Sequence, residues 1–179
     1  MHVADESRVN NPHGSSERAT SKTPAEGSQV EARLKELGLT LPSPPRPVAA
    51  YVPAIRTGNL IFVSGQLPVR DGELVKGRVG ADLTVEEGYE AARLCVLNAL
   101  AQVKAELGSL DRVERVVKLV GWVSSAPDFD QQPKVINGAS ELLEAIFGEK
   151  GRHARSAVSA HILPLGAAVE IELIVEARP

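Results

Sequence analysis

A chain of 179 residues, 43% hydrophobic and 24% charged, suits one globular domain with a substantial core and not comfortably two. A net charge of −3 and a pI near 5.8 exclude the broad basic face that phosphate-backbone binding needs. The single cysteine, Cys95, excludes an intrachain disulfide framework and any multi-cysteine metal site.

Residues 1–27 are polar, with scattered Ser, Asn, Pro and Gly and almost no large apolar side chains, so they are expected to form a disordered tail. They contain no apolar core of the signal-peptide type, and no stretch of the chain approaches the roughly 20 apolar residues that span a bilayer, so a cytoplasmic location is expected. Residues 28–37 (SQVEARLKEL) read as a short helix with Val30, Leu34 and Leu37 on one side and Gly38 as its stop. Residues 41–47 (LPSPPRP) read as a proline-rich tether, and the folded domain is expected over 48–179.

Within that domain, 48–58 and 59–65 read as two strands joined by a turn at Thr57-Gly58-Asn59, and 65–83 as irregular loop. Thr84-Val85-Glu86-Glu87 has the form of a capping box. It opens a long helix over 85–107, closed by Gly108, with Leu94, Leu97, Ala101 and Ala105 at helical spacing. Cys95 lies beside that stripe and reads as a small buried hydrophobe. Residues 113–124 read as a third strand, and 132–147 as a second long helix with Pro133 in its first turn. The segment 151–177 reads as two final strands meeting at a turn over 164–166. The order β-β-α-β-α-β-β predicts an α+β sandwich, a mostly antiparallel sheet with two helices on one face.

The last strand alternates. Val169, Ile171, Leu173 and Val175 suit the helices, which leaves Glu170, Glu172, Ile174 and Glu176 for the other face. In the preceding strand Arg155, Ala157, Ser159 and His161 share a small, mildly polar face. An open face of that kind predicts a homo-oligomer in which such faces pack together.

If the last two strands form an antiparallel hairpin, Arg155 and Glu170 are cross-strand neighbours. That placement suits a plain structural ion pair. It also suits a guanidinium that holds a substrate carboxylate by two parallel hydrogen bonds while a glutamate accepts a proton or holds a water. Other chemistries fit less well. His2, His13, His153 and His161 do not stand at metal-ligand spacing. Ser64, in SGQ, has no nucleophile elbow and reads as a hydrogen-bonding residue. No Gly-Lys-Ser/Thr phosphate loop occurs. Trp122 reads as packing, and only 3% of residues are aromatic, which leaves few platforms for stacking bases.

Three stretches in combination, TGNLIFVSGQLPV (57–69), VVKLVGWVSS followed by Asp128-Phe129, and HARSAV…LPLGAAVEIE (153–172), resemble the RidA/YjgF family of reactive enamine/imine deaminases, also called endoribonuclease L-PSP-like. The helix and tether before them resemble a subgroup with an N-terminal helical extension. The resemblance implies a chorismate-mutase-like fold assembled as a homotrimer, with active sites in clefts between subunits. It implies hydrolysis of 2-aminoacrylate-like enamines and imines to a 2-keto acid and ammonia, without a cofactor. Carried over by position, it makes Arg155 the carboxylate clamp and Glu170 the water-positioning group, with Glu172 on the same face. It makes Tyr51, Ser64, the amide of Gly65, Ala157 and Asn137 substrate contacts. Two departures stand out: Ala157 replaces a frequent family cysteine, and Asn137 matches the family's cleft asparagine only with a shift in spacing. A non-catalytic trimer that binds keto acids is the alternative, and a ribonuclease a further one. Neither nucleic acid nor membrane is an expected partner.

Overall fold

The computed structural model describes residues 28–44 and 50–179; the expected tail over 1–27 and part of the tether lie outside the described residues. Among the described residues, three α-helices, α1 (Gln29–Glu36), α2 (Val85–Leu107) and α3 (Gln132–Phe147), accompany seven strands: β1 (Ala54–Thr57), β2 (Leu60–Gln66), β3 (Val69–Arg70), β4 (Glu73–Leu74), β5 (Val113–Ser124), β6 (Ala154–Ala160) and β7 (Val169–Ala177). Five strands form one sheet in the order β1-β2-β7-β5-β6, and β3 and β4 form a separate ribbon.

Local chemistry sets the boundaries. The Thr84 hydroxyl accepts the Glu87 amide at 3.1 Å, and the Thr84 amide donates to the Glu87 carboxylate at 2.8 Å, so the capping box closes as expected. Gly108, at φ 79°, ends the same helix in a conformation that favours glycine. The Ser28 hydroxyl caps α1 by accepting from the Glu31 amide. The first two amides of α1, Gln29 and Val30, donate to the Asp111 carboxylate, and Leu34 is buried in the main core. This short helix is thereby fastened to the turn that follows α2, and through Arg33 Nε, which donates to the Ala145 carbonyl at 2.9 Å, to the end of α3.

The helices cover one sheet face. Val169, Ile171, Leu173 and Val175 of β7 are buried beneath them, as the alternation predicts, together with Val116, Leu119 and Val123 of β5. Cys95 is fully buried, and its Sγ lies 3.6 Å from the Val169 carbonyl. The region expected to be plain loop instead contains the β3–β4 ribbon, turned at Asp71 (φ 53°) and Gly72 (φ 83°). An Asp-Gly pair between Val-Arg and Glu-Leu is a strong hairpin signal that the reading missed.

The larger correction concerns the last two strands, which are not a hairpin. β7 pairs antiparallel with both β2 and β5, and β6 pairs parallel with the far side of β5. The chain leaving β6 passes β5 before re-entering the sheet. The burial pattern supplies the reason. The four fully apolar inward positions of β7 need neighbours on both sides, whereas β6, made mostly of small and partly exposed residues, serves as an edge. A Pro-Leu-Gly turn is compatible with either path.

No described helix is long and apolar enough to cross a membrane.

Candidate functional site

Arg155 stands in register with Leu119 of β5, whose side chain lies in the core under the helices. Registered neighbours point to the same side, so Arg155 turns toward α3 rather than toward the open face expected for it. Its Nη1 donates to Asn137 Oδ1 at 2.8 Å and to Ser140 Oγ at 3.2 Å. Asn137 and Ser140 are three apart on α3 and project from one side. Gly138 between them is packed against the backbone carbonyl of Tyr89, a close crossing of α2 and α3 that any side chain at 138 would obstruct.

These two bonds use both protons of Nη1. The Nε–H and Nη2 edge, which forms the side-on fork, makes no hydrogen bond to the described residues. A cavity of about 260 Å³ adjoins Arg155, lined also by Ser140, Glu141, Glu144, Arg152 and His153. Both carboxylates in that lining are engaged elsewhere. Glu141 accepts from the Tyr89 hydroxyl at 2.7 Å, and Glu144 from Arg152 at 2.8 Å. Arg155 therefore has no counter-ion among the described residues, although it is half-buried.

Glu170 lies elsewhere. It is in register with Trp122, which in turn is in register with Val158, three residues beyond Arg155 and two strands across. Strand spacing and rise then separate the Cα atoms of Arg155 and Glu170 by about 14 Å. The two side chains project to opposite faces, so the expected cross-strand pair does not exist. Glu170 is half-buried on the open face. Burial, and then the neighbouring Glu172, push its carboxyl above the ordinary glutamate value.

Around Glu170 the structure gathers a second group of expected residues. The β2–β7 register shifts between Val63 and Gln66, which leaves Ser64 and Gly65 in a bulge. The Glu170 carboxylate lies against Gly65 so closely that a Cβ there would fall on Oε1 and within 2.8 Å of Cδ. The Ser64 hydroxyl donates to the Val52 carbonyl at 2.8 Å, and the Ser64 amide to the Pro53 carbonyl at 2.9 Å, which ties the segment carrying Tyr51 onto β2. Tyr51, Phe62, Ser64, Glu172 and Ile174 line an open cavity of about 560 Å³ on this face.

The site residues thus fall into two clusters. Arg155, Asn137 and, two residues along β6 on the same side, Ala157 form one; Tyr51, Ser64, Gly65, Glu170 and Glu172 form the other. Asn137 accepts from Arg155 directly, from α3. Sequence reasoning missed Ser140 and His153. The helical i, i+3 spacing of Asn137 and Ser140 was the available signal for the first, and nothing in the local pattern marked the second. Cys95 belongs to neither cluster, and burial raises its thiol well above the usual value.

A family model described as "YjgF/chorismate_mutase-like, putative endoribonuclease" matches residues 31–177. Protein TCP17 of Trypanosoma cruzi is 50% identical over 150 residues, covering 83% of this chain and 94% of that protein. A 2-iminobutanoate/2-iminopropanoate deaminase of Dermatophagoides farinae is 30% identical over 139 residues, covering 76% and 93%. Among solved structures, the protein Atu1372 of Agrobacterium tumefaciens, of unknown function, superposes with a TM-score of 0.78 at 53% identity over 83% of this chain and 92% of its own. With its α+β sheet under two long helices and a match running from α1 to the end of β7, the chain belongs to the YjgF/chorismate-mutase-like (RidA) family.

Proposed function

We propose that the protein hydrolyses small, reactive enamines and imines carrying a carboxylate, 2-aminoacrylate-like compounds, to the 2-keto acid and ammonia. The observation that carries this reading is the Arg155 fork. The guanidinium is held at Nη1 by Asn137 and Ser140, has no counter-ion among the described residues and adjoins a cavity. Such an edge matches a carboxylate by two parallel charge-assisted hydrogen bonds. The deaminase of Dermatophagoides farinae lends the reaction type.

In the proposed reaction the enamine first tautomerises, a proton adding to its terminal carbon to give the imine. Glu170 takes a proton from a water as the water oxygen bonds to the imine carbon. The nitrogen receives that proton to give the neutral carbinolamine; Glu170 then takes the hydroxyl proton and passes it to the nitrogen, the C–N bond breaks, and ammonia leaves as the carbonyl forms. No redox partner is required. Imines hydrolyse unaided, so the protein needs to contribute mainly orientation and charge complementarity.

Because Arg155 and Glu170 lie on opposite faces, one chain does not make the site. We assign it to a seam between copies, the Arg155 cluster of one chain meeting the Glu170 cluster of the next, in the homotrimer that the family resemblance implies. The apolar rim of the open face, with Tyr51, Val52, Ile55 and Phe62 all exposed, suits such a seam.

The test generates 2-aminoacrylate in situ with a dehydratase and follows keto-acid and ammonia release. Arg155→Ala is expected to reduce kcat/KM by about 100-fold, the loss of a charged bidentate contact. Equal rates for the variant and the parent overturn the reading. Keto-acid binding without any turnover replaces it with a binding role.

A further inference from the structure

We propose that Ser140 and His153 form a positioning relay that fixes the plane of the Arg155 guanidinium and so determines how tightly a carboxylate is held. This rests on the proposed role of Arg155 and adds two residues to it.

The relay follows from hydrogen-bond roles. His153 Nδ1 lies 2.6 Å from the Gly151 carbonyl, an atom that only accepts, so Nδ1 carries the proton. Desolvation first, and the charge of Arg155 as well, hold the imidazole below the usual histidine value, which keeps it neutral near pH 7. Nε2 is then an acceptor. It lies 3.0 Å from Ser140 Oγ, so the hydroxyl donates its single proton to the ring. Both lone pairs of Ser140 Oγ are thereby turned away from the ring, and one receives Arg155 Nη1 at 3.2 Å. From the Gly151 carbonyl to the guanidinium, each member of the chain has one available role.

The anchor is rigid. Gly151 is buried with no room for a Cβ against the Leu143 backbone, so the carbonyl that orients His153 is set by the packing of α3. Ser140 lies on α3 and His153 one residue before β6. The relay therefore ties Arg155 to the helix layer at a point separate from Asn137. With Asn137 alone, the guanidinium could pivot about one bond. With two acceptors on Nη1 its plane is fixed, and the Nε–Nη2 edge is held in one orientation.

Ser140 and His153 are positioning residues, because neither is placed against the reacting carbon. The relay therefore acts on substrate capture, and its loss is expected in KM. Ser140→Ala is expected to raise KM roughly tenfold with kcat changed less than threefold, the size of one hydrogen bond to a charged group. Ser140→Thr, which keeps the hydroxyl, restores KM to within threefold. His153→Phe removes the ring acceptor and is expected to raise KM about fivefold, and His153→Gln, with an amide oxygen near the Nε2 position, recovers most of it. The decisive measurement is the double variant Ser140→Ala/His153→Phe. A relay predicts a KM no worse than that of Ser140→Ala alone, whereas independent packing roles predict the product of the two effects.

The same variants are titrated with 2-oxobutanoate by calorimetry, which separates the two proposals. Parallel changes in Kd support the relay even if the parent protein fails to turn over the imine, a result that would overturn only the deaminase reading. A His153→Phe protein with KM and Kd within twofold of the parent, or multiplicative effects in the double variant, overturns the relay. Absence of both keto-acid binding and turnover in the parent overturns both proposals. Should His153→Phe fail to fold, the contrast of Ser140→Ala with Ser140→Thr decides: equal KM values for the two overturn the relay.

Discussion

Two inactive variants should restore each other. Within one chain Arg155 and Glu170 stand about 14 Å apart at their Cα atoms, two strands across and three residues along, and point to opposite faces. In a 2-aminoacrylate-like substrate the carboxylate carbon is bonded to the carbon under attack. A clamp at one end and a glutamate holding the attacking water at the other must therefore converge to within about 8 Å. No path through the sheet allows that, and the proposed site therefore takes the two groups from different chains. Arg155→Ala and Glu170→Gln proteins, each expected to lose about 100-fold or more in kcat/KM, are co-expressed with different tags and the mixed oligomers isolated. In a mixed trimer, whether 2:1 or 1:2, one seam of the three joins an intact arginine to an intact glutamate, so about a third of the parent activity per site returns. A site within one chain returns nothing above the sum of the two variants. Mixed oligomers, verified by mass, that stay at that level would refute the shared site.

Three further outcomes follow from the Glu170 cluster. Gly65 does not adopt a positive φ, so Gly65→Ala brings no backbone strain, yet its Cβ displaces the Glu170 carboxylate by about an ångström; kcat is expected to fall about 100-fold while Tm moves by less than about 3 °C, and an unchanged kcat counts against Glu170 as the water-holding group. Glu172 is one of the two causes that raise Glu170, so Glu172→Gln is expected to move the acid limb of the pH–rate profile to lower pH, and a limb that stays in place assigns it to another group. The third concerns stability. A carboxyl whose folded-state pKa is raised contributes stability below its unfolded value and loses it as pH rises through the folded value. Glu170→Gln is therefore expected to be more thermostable than the parent at pH 7, with the difference vanishing near pH 4, as read by thermal melts across that range.

Much of the fold was legible because its signals are local. The Thr84–Glu87 box, the stop at Gly108 and the alternation over 169–175 each depend on residues within one element, and each element formed where its own chemistry placed it. Strand order is a different kind of information. HARSAV and VEIELIV read equally well as the arms of a hairpin, and only competition among β2, β5 and β6 for the flanks of β7 decides which strands touch. The error in pairing carried through to the site: a hairpin would have put Arg155 beside Glu170, and the true register puts it on the side of α3. Asn137 was within reach of a motif comparison. Ser140 was signalled only by its i, i+3 spacing from Asn137, and His153 by nothing, since its meaning depends on a helix and a strand that meet only in three dimensions, and a histidine before ARS has no local feature that separates it from a surface residue.

The two clusters also explain why each is left incomplete. Among the described residues Arg155 has no counter-ion in its half-buried position, with the nearby Glu141 and Glu144 bound by Tyr89 and Arg152 rather than by it. Glu170 is pushed toward its protonated form by burial and by a second carboxylate. Either condition is unfavourable for a chain on its own, and local charge pairing could have relieved both. An arginine satisfied by its own glutamate could not take up a substrate carboxylate, and a glutamate held fully ionised by its own arginine would be a weaker base toward water. Setting the two groups on opposite faces of one sheet prevents that internal neutralisation. Under the proposed shared site, each group meets its charge complement only when a second chain and a substrate are both present, which makes the separation, rather than either residue alone, the feature on which the proposed chemistry depends.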